Sequence, residues 1–228
     1  MNGFSDEANV MDFLGVKDEL KRGNRVLLLV RHAERPHIDH EDPTFGGALP
    51  ITENGKRMCE DFGKALKGVA ENVQFRASPL RRTVMSAQYI ARGLGLKSAD
   101  IPADEAIGNG SAFVSDLHAV WELFRDKRFF EHMVEYMAVG SISGFAPIAT
   151  AAEEFEAYVL SKFTGKLGVF TTHDVYVAAY LFAKGVKTDW NPSNWPRFLD
   201  SAVIVVEPSG VRRYALLRAG LSDRATGV

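Results

Sequence analysis

Apolar positions along the chain form short continuous runs separated by stretches of helical spacing. Val26-Leu27-Leu28-Leu29-Val30 is a run of apolar residues that stops abruptly at Arg31-His32. A short apolar run bounded by polar residues is the pattern of a strand buried on both faces. Val73–Ala77, Gly168–Thr172 and Ala202–Val206 repeat it, and a short strand is expected near Ile101. Between the runs the spacing is helical. Asp12–Arg22 places Phe13, Leu14, Val16 and Leu20 inward and ends at Gly23-Asn24. Thr52 is an N-cap for a helix that buries Met58, Cys59, Phe62, Leu66 and Val69. Leu80–Leu94 is expected to be a helix ended by Gly93 and Gly95, and Val175–Ala183 another. Thr150-Ala-Ala-Glu153 matches a capping box and is expected to open a helix running to about Phe163. Glu207-Pro-Ser-Gly210 turns the chain into Val211–Leu217, a hairpin. Strands alternating with helices predict an α/β fold. The expected form is a three-layer αβα sandwich whose sheet is mostly parallel, with one antiparallel edge strand from the hairpin. Residues 1–228 read as one domain, with the aromatic-rich segment 107–144 as a helical insertion over the top of the sheet.

Composition removes several function classes. Basic residues number 27 and acidic residues 29, so the net charge of -2 leaves no electrostatic footprint for nucleic acid and no polybasic membrane signal. Cys59 is the sole cysteine, which rules out an intrachain disulfide; inside an amphipathic helix it reads as a small buried apolar residue. Met1–Val10 lacks the basic-then-apolar order of a secretory signal, and no apolar run approaches the ~20 residues of a membrane span. A cytoplasmic location is therefore expected.

Three strand ends carry polar residues of one character. The first supplies Arg31, His32 and Arg35, the second Ser78-Pro-Leu-Arg-Arg82, the third His173-Asp174. In a parallel sheet their carboxyl ends share an edge, where open α/β sheets hold ligands. Arginine offers a planar, permanently charged fork that matches phosphate oxygens two at a time. A neutral histidine can attack phosphorus while nearby cations stabilise the transferring group, and a carboxylic acid can protonate the leaving oxygen. Arg81 and Arg82 are neighbours on a helix, so only one faces the site. The loop residues His37, Asp39, His40, Glu41 and Asp42 gather metal-type side chains without the order of a zinc motif, and no metal or other cofactor is expected. A Gly-x-Ser-x-Gly elbow, a glycine-rich phosphate loop with lysine and a dinucleotide fingerprint are all missing from the sequence.

Taken in order, these residues resemble the histidine phosphatase (phosphoglycerate mutase-like) superfamily. Arg31-His32-Ala33 resembles its Arg-His-Gly signature, Ser78-Pro-Leu-Arg-Arg82 with Ser86-Ala87 its second-arginine motif, and Thr172-His173-Asp174 its second histidine. Leu49-Pro-Ile-Thr52-x-x-Gly55 is similar to the segment that begins the family's first long helix. The resemblance runs from about Val26 to Val206. It implies His32 as the nucleophile that becomes phosphohistidine, and Arg31, Arg82 and His173 as holders of the phosphoryl oxygens. Arg35 and Asp174 resemble features of the acid phosphatase branch, a further phosphate-binding arginine and the proton donor. In the mutase branch the donor is a glutamate between the second and third motifs, where Glu105 lies. Ala33 stands where the signature has glycine, and Pro36 follows Arg35 one residue early. The implied activity is hydrolysis of a phosphomonoester through phosphohistidine, on a small phosphorylated molecule or a phosphopeptide segment. A phosphomutase and a noncatalytic phosphate-binding or regulatory module stay open as alternatives. Oligomeric state is not legible.

Overall fold

A computed structural model describes residues 9–39, 42, 44, 46–69, 72–96 and 101–220. Its centre is β2 (Arg25–Arg31), the first apolar run. Val26, Leu28 and Val30 enter one hydrophobic cluster and Leu27 and Leu29 another, as side chains alternate across a strand. Both faces of β2 are therefore core, and its burial accounts for an unbroken run of apolar residues.

The remaining strands are β1 (Val10–Met11), β3 (Val73–Ala77), β4 (Leu167–Thr172), β5 (Ser201–Val206) and β6 (Arg212–Leu217). They lie in the order β1-β6-β5-β2-β4-β3. The helices are α1 (Phe13–Lys21), α2 (Glu53–Ala65), α3 (Arg81–Leu94), α4 (Leu117–Phe124), α5 (Phe129–Val139), α6 (Ile148–Lys162) and α7 (Asp174–Ala183). Residues of α1, α2 and α3 pack on one face of the sheet, and those of α4, α5, α6 and α7 on the other. This is the α/β sandwich expected.

Several details differ from the pattern reading. The strand that runs against its neighbours is β5, and it lies inside the sheet between β2 and β6, not at an edge. β6 reverses again, which leaves it parallel to the two-residue β1 at the border. Ile101 precedes a single bridge, Ala77 to Ala103, instead of forming a strand. α6 begins at Ile148 with Pro147 as N-cap, and Ala151 N donates to Pro147 O, so Thr150 lies inside the helix. Burial of Ile148 draws the helix start toward the core, and tertiary packing outweighs the local capping pattern. Leu14 is solvent-exposed, whereas Phe13, Val16 and Leu20 pack inward. Thr52 does cap α2, its hydroxyl accepting from Gly55 N at 2.9 Å.

Gly93 has a role other than ending a helix. α2 and α3 touch so closely that a Cβ at Gly63 would meet Ile90 O at 2.1 Å, and one at Gly93 would meet Glu60 O at 2.1 Å. The helix ends at Gly95, which takes the left-handed conformation (φ 93°) of a C-cap. Close packing of α3 against α2 fixes where α3 presents Arg82.

Candidate functional site

Strand register brings the motifs together. Arg31 pairs with Thr172 across β2 and β4, and Ala77 with Thr171 across β3 and β4. His32, His173 and Ser78 are each the first residue past a parallel strand, so they emerge on one edge. The rings of His32 and His173 lie 5.5 Å apart, edge to face. β5 runs the other way, so the loop that precedes it, residues 184–200, arrives at this same edge beside β2.

Backbone bonding defines His32. Its N–H donates to Thr172 O, and its Nδ1 lies 2.8 Å from Ala33 O. A carbonyl only accepts, so Nδ1 carries the proton and Nε2 keeps the lone pair. Burial, then the charges of Arg82 and Arg31 and the neighbouring His173 ring, hold the His32 pKa well below its ordinary value. The ring is thus a neutral imidazole with a free Nε2, the form a nucleophile requires. Ala33 occupies the glycine position without a positive φ. Its Cβ is buried, and its N–H donates to Ser86 Oγ at 2.9 Å. The substitution is therefore absorbed by the core.

His173 caps the start of α7, with Nε2 2.9 Å from Ser78 Oγ. Ser78 Oγ is 3.0 Å from Thr83 Oγ1, which donates onward to backbone carbonyls. Burial first, then Arg82, push the His173 pKa down to about 3. Both histidines are neutral while the arginines beside them stay charged.

Arg31, Arg35 and Arg82 converge on this pair. Arg82 is buried and Arg81 exposed, which decides between the two neighbours. Arg82 Nη1 donates to Gly46 O at 2.8 Å; Gly46 takes φ 70°, a left-handed conformation natural to glycine, within the loop that reaches over Arg82. Arg31 Nη2 lies 3.1 Å from Asp174 Oδ2, its Nη1 donates to Pro196 O, and its guanidinium lies over the Phe198 ring at 4.5 Å. Arg35 donates to Pro36 O at 2.9 Å. Burial and the neighbouring arginines lower the Arg82 pKa to about 10, and burial also lowers that of Arg35. The Nε atoms of all three arginines are buried and without a hydrogen-bond partner. Unsatisfied buried donors are costly, and a cluster of like-charged guanidinium groups that carries three of them has the chemistry that suits an oxyanion.

The acid candidates sit differently. Asp174 Oδ2 accepts from Trp195 Nε1 at 3.2 Å and faces Arg31. Burial pushes its pKa up, but Arg31, the Trp195 N–H and His173 outweigh burial and hold it below the ordinary value. Asp174 is accordingly an ionised carboxylate in this state. Glu105 opens a 3-10 turn, Glu105–Ile107, and is exposed. That turn is tied to the strand end by Thr172 Oγ1 donating to Ile107 O at 2.6 Å. The charges of Asp174 and Glu105 both bear on the buried Tyr176 phenol, raising its pKa after burial itself. The two carboxylates thus come from separate elements, and both act on Tyr176, whose ring lies 6.1 Å from that of His173.

Residues 27–107 match the family model described as the histidine phosphatase superfamily, branch 1. The described structure is similar to YhfR of Bacillus stearothermophilus, with a TM-score of 0.57 and 20% identity, over 84% of this chain and 96% of that one. This is the histidine phosphatase fold, and the chain resembles that superfamily in sequence as well. A phosphoglycerate mutase from Bacillus anthracis str. Sterne matches with a TM-score of 0.54 at 13% identity, over 83% of this chain and 91% of that one. A mutant phosphoserine phosphatase from Entamoeba histolytica in complex with phosphoserine matches with a TM-score of 0.53 at 13% identity, over 86% and 98%. No curated protein matches by sequence.

Within this histidine phosphatase fold, several site residues carry no motif. Phe198 stacks on Arg31 and lies 5.8 Å from the His32 ring. Trp195 and Pro196 hold Asp174 and Arg31. The two tryptophans and two prolines of residues 189–197 are the only sequence signal for this loop. Leu199 follows in a left-handed conformation (φ 67°), unusual for a branched apolar residue, and is fully buried. Ser86 was legible only as part of the second-arginine motif. Among the described residues no group of metal-ligating side chains is assembled, and His40 and Glu41 lie outside them. No described helix is long and apolar enough to cross a membrane.

Proposed function

We propose that the protein is a cytoplasmic phosphomonoester hydrolase that acts through a phosphohistidine at His32. The observation that carries this reading is the set of three buried, unpartnered guanidinium Nε atoms around a neutral histidine whose Nε2 is free. Arg31 and Asp174 neutralise each other, so Arg35 and Arg82 supply two positive charges, which match a phosphomonoester dianion. The substrate is a small phosphorylated molecule or a phosphopeptide segment, bound without a metal, because arginines carry the electrostatic role.

In the first step the Nε2 lone pair forms a bond to phosphorus as the bond to the leaving oxygen breaks. A carboxylic acid gives that oxygen its proton; Asp174 is the first candidate and Glu105 the second. Phosphoryl oxygens arriving at Arg31 weaken its hold on Asp174, which raises the Asp174 pKa toward the protonated form. Nδ1–H stays on Ala33 O and stabilises the positive charge on the phosphorylated ring. In the second step water attacks phosphorus, the carboxylate takes its proton, and the N–P bond electrons return to Nε2.

Release of phosphate from a generic aryl phosphate tests the proposal. His32→Ala is expected to lose at least about 10^4-fold in rate. No release by the wild type, or undiminished release by the variant, would sink it. Preferential transfer of the phosphoryl group to an added alcohol instead of water would identify a mutase. On an alkyl phosphate, whose leaving group needs a proton, Asp174→Asn is expected to lose about 10^2-fold or more and far less on the aryl ester. The same pattern in Glu105→Gln instead would move the acid role to Glu105.

A further inference from the structure

Trp195 stands where three parts of the molecule meet. Its indole Nε1 donates to Asp174 Oδ2 at 3.2 Å. Its ring packs edge to face on Phe129 and Phe130, with centroids 5.9 and 5.4 Å away, and on Trp190 at 5.7 Å. Phe129 and Phe130 are the first two residues of α5, which packs in the same hydrophobic cluster as α4, α6 and α7. Behind the ring, Trp195 N donates to Asn191 O, and Arg218 donates to Trp195 O and Asn194 O while paired with Asp200 at 2.6 Å. The indole is therefore held from its backbone, stacked by α5, and aimed at one carboxylate oxygen. The next residue, Pro196, holds Arg31 through its carbonyl, and Arg31 is the cation facing that same oxygen. One loop thus sets both partners of Asp174.

We propose that Trp195 is a positioning residue that fixes the orientation of the Asp174 carboxyl group and couples its proton to the packing of α5 against the Trp195 ring. The proposal rests on the reading of Asp174 as the proton donor. An indole N–H only donates, so it favours the charged carboxylate and keeps Oδ2 as an acceptor. When phosphoryl oxygens draw on Arg31, Trp195 remains as the second restraint on Asp174. It then sets the pH at which the acid picks up its proton. The charged and titratable groups facing Asp174 are Arg31, Arg35, Arg82, His173 and Tyr176; Trp195 donates to its Oδ2, and its Oδ1 accepts from Val175 N. Of these, only Trp195 links the carboxylate to α5 through ring contacts.

The test replaces Trp195 with Phe, which keeps an aromatic ring against Phe129 and Phe130 but removes the donor. On an alkyl phosphate the alkaline limb of the pH–rate profile is expected to move up by about one pH unit, the effect of losing one hydrogen bond to a charged group. Trp195→His, which restores an N–H donor, should return the limb toward its wild-type position. A second measurement does not need turnover. Proton uptake on binding inorganic phosphate, measured by calorimetry in buffers of different ionisation enthalpy, should extend about one pH unit higher in Trp195→Phe than in wild type. A coincident limb and coincident uptake in folded Trp195→Phe overturn the proposal. If Asp174→Asn leaves alkyl phosphate hydrolysis unchanged, the donor reading fails instead, and the uptake measurement still decides whether Trp195 governs the Asp174 proton.

Discussion

Two of the buried charge clusters among the described residues are built on opposite principles. Around Glu156, on α6, every charge is answered. Oε1 takes Arg212 and the Tyr214 hydroxyl, Oε2 takes Lys184 and the Tyr180 hydroxyl, and Lys184 also holds Glu153. Burial pushes Glu156 up, but its donors outweigh burial and keep it ionised. At the carboxyl ends of β2, β3 and β4, three arginines share one carboxylate, and three Nε atoms have no partner. The first arrangement is closed and contributes to the fold. The second is open, and its arginines repel one another. A cavity of about 820 Å³ along β6 belongs with the closed type: its cations Lys184, Arg213 and Arg218 are paired with Glu153 and Glu156, with Glu19 and Glu207, and with Asp200. Charged residues lining a cavity do not by themselves mark a site.

The sharpest break in this comparison comes from Arg82→Met. It should lower kcat/KM by about 10^3-fold, ~4 kcal/mol of transition-state stabilisation, yet leave stability to urea unchanged or raised. Loss of activity matched by an equal loss of stability would show that Arg82 belongs with the closed cluster. Next in size is Glu156→Ala, which strands Arg212 and part of Lys184. Urea unfolding should show a loss of about 3 kcal/mol, at the lower end for a broken buried pair because Lys184 retains Glu153, with kcat/KM in the surviving folded protein unaltered. A smaller effect is ligand-linked: inorganic phosphate at a hundred times its Kd should stabilise the wild type by about 2.7 kcal/mol and Arg82→Met by far less. Equal stabilisation of both proteins would place the anion elsewhere.

The smallest expected effect is a dependence on pH. His173 titrates near 3 when folded, against about 6.5 when unfolded. Between those values the unfolded chain binds the extra proton, so this group's contribution is present above 6.5 and is lost as pH falls toward 3. His173→Gln should flatten the fall in stability between pH 6.5 and 4. Bound phosphate should flatten it in part in the wild type, because the anion offsets the cations that, after burial, help to hold the ring neutral. An identical slope in wild type and His173→Gln would remove this histidine from the open cluster.

Much of this arrangement was legible before any tertiary contact was known. Val26–Val30 reads as a two-face buried strand because five apolar residues in sequence leave no solvent face. Thr52 is recognisable as a cap because its hydroxyl reaches Gly55 N within one turn. That only one of Arg81 and Arg82 faces the site follows from the 100° that separates helical neighbours, and the resemblance to the family's second-arginine motif pointed to Arg82. Less legible were elements whose form depends on distant partners. β1 is two residues long and exists only by pairing with β6, some 200 positions later. The start of α6 shifted from Thr150 to Ile148 because Ile148 packs into a core that its local sequence does not reveal.

By itself the sequence determined the strand that bears Arg31 and His32, the order of the three polar strand ends, and the type of ligand their arginines and histidines suit. These follow from local periodicity and from side-chain chemistry, which travel with the residues. Only the tertiary structure decided that β5 runs antiparallel inside the sheet beside β2. That placement delivers the loop ahead of β5 to the site, setting Phe198 against His32 and Trp195 against Asp174. The physical reason is that strand order and direction are settled by pairing and core packing between segments far apart in the chain, and no local pattern in residues 189–200 encodes which edge of the sheet they will meet.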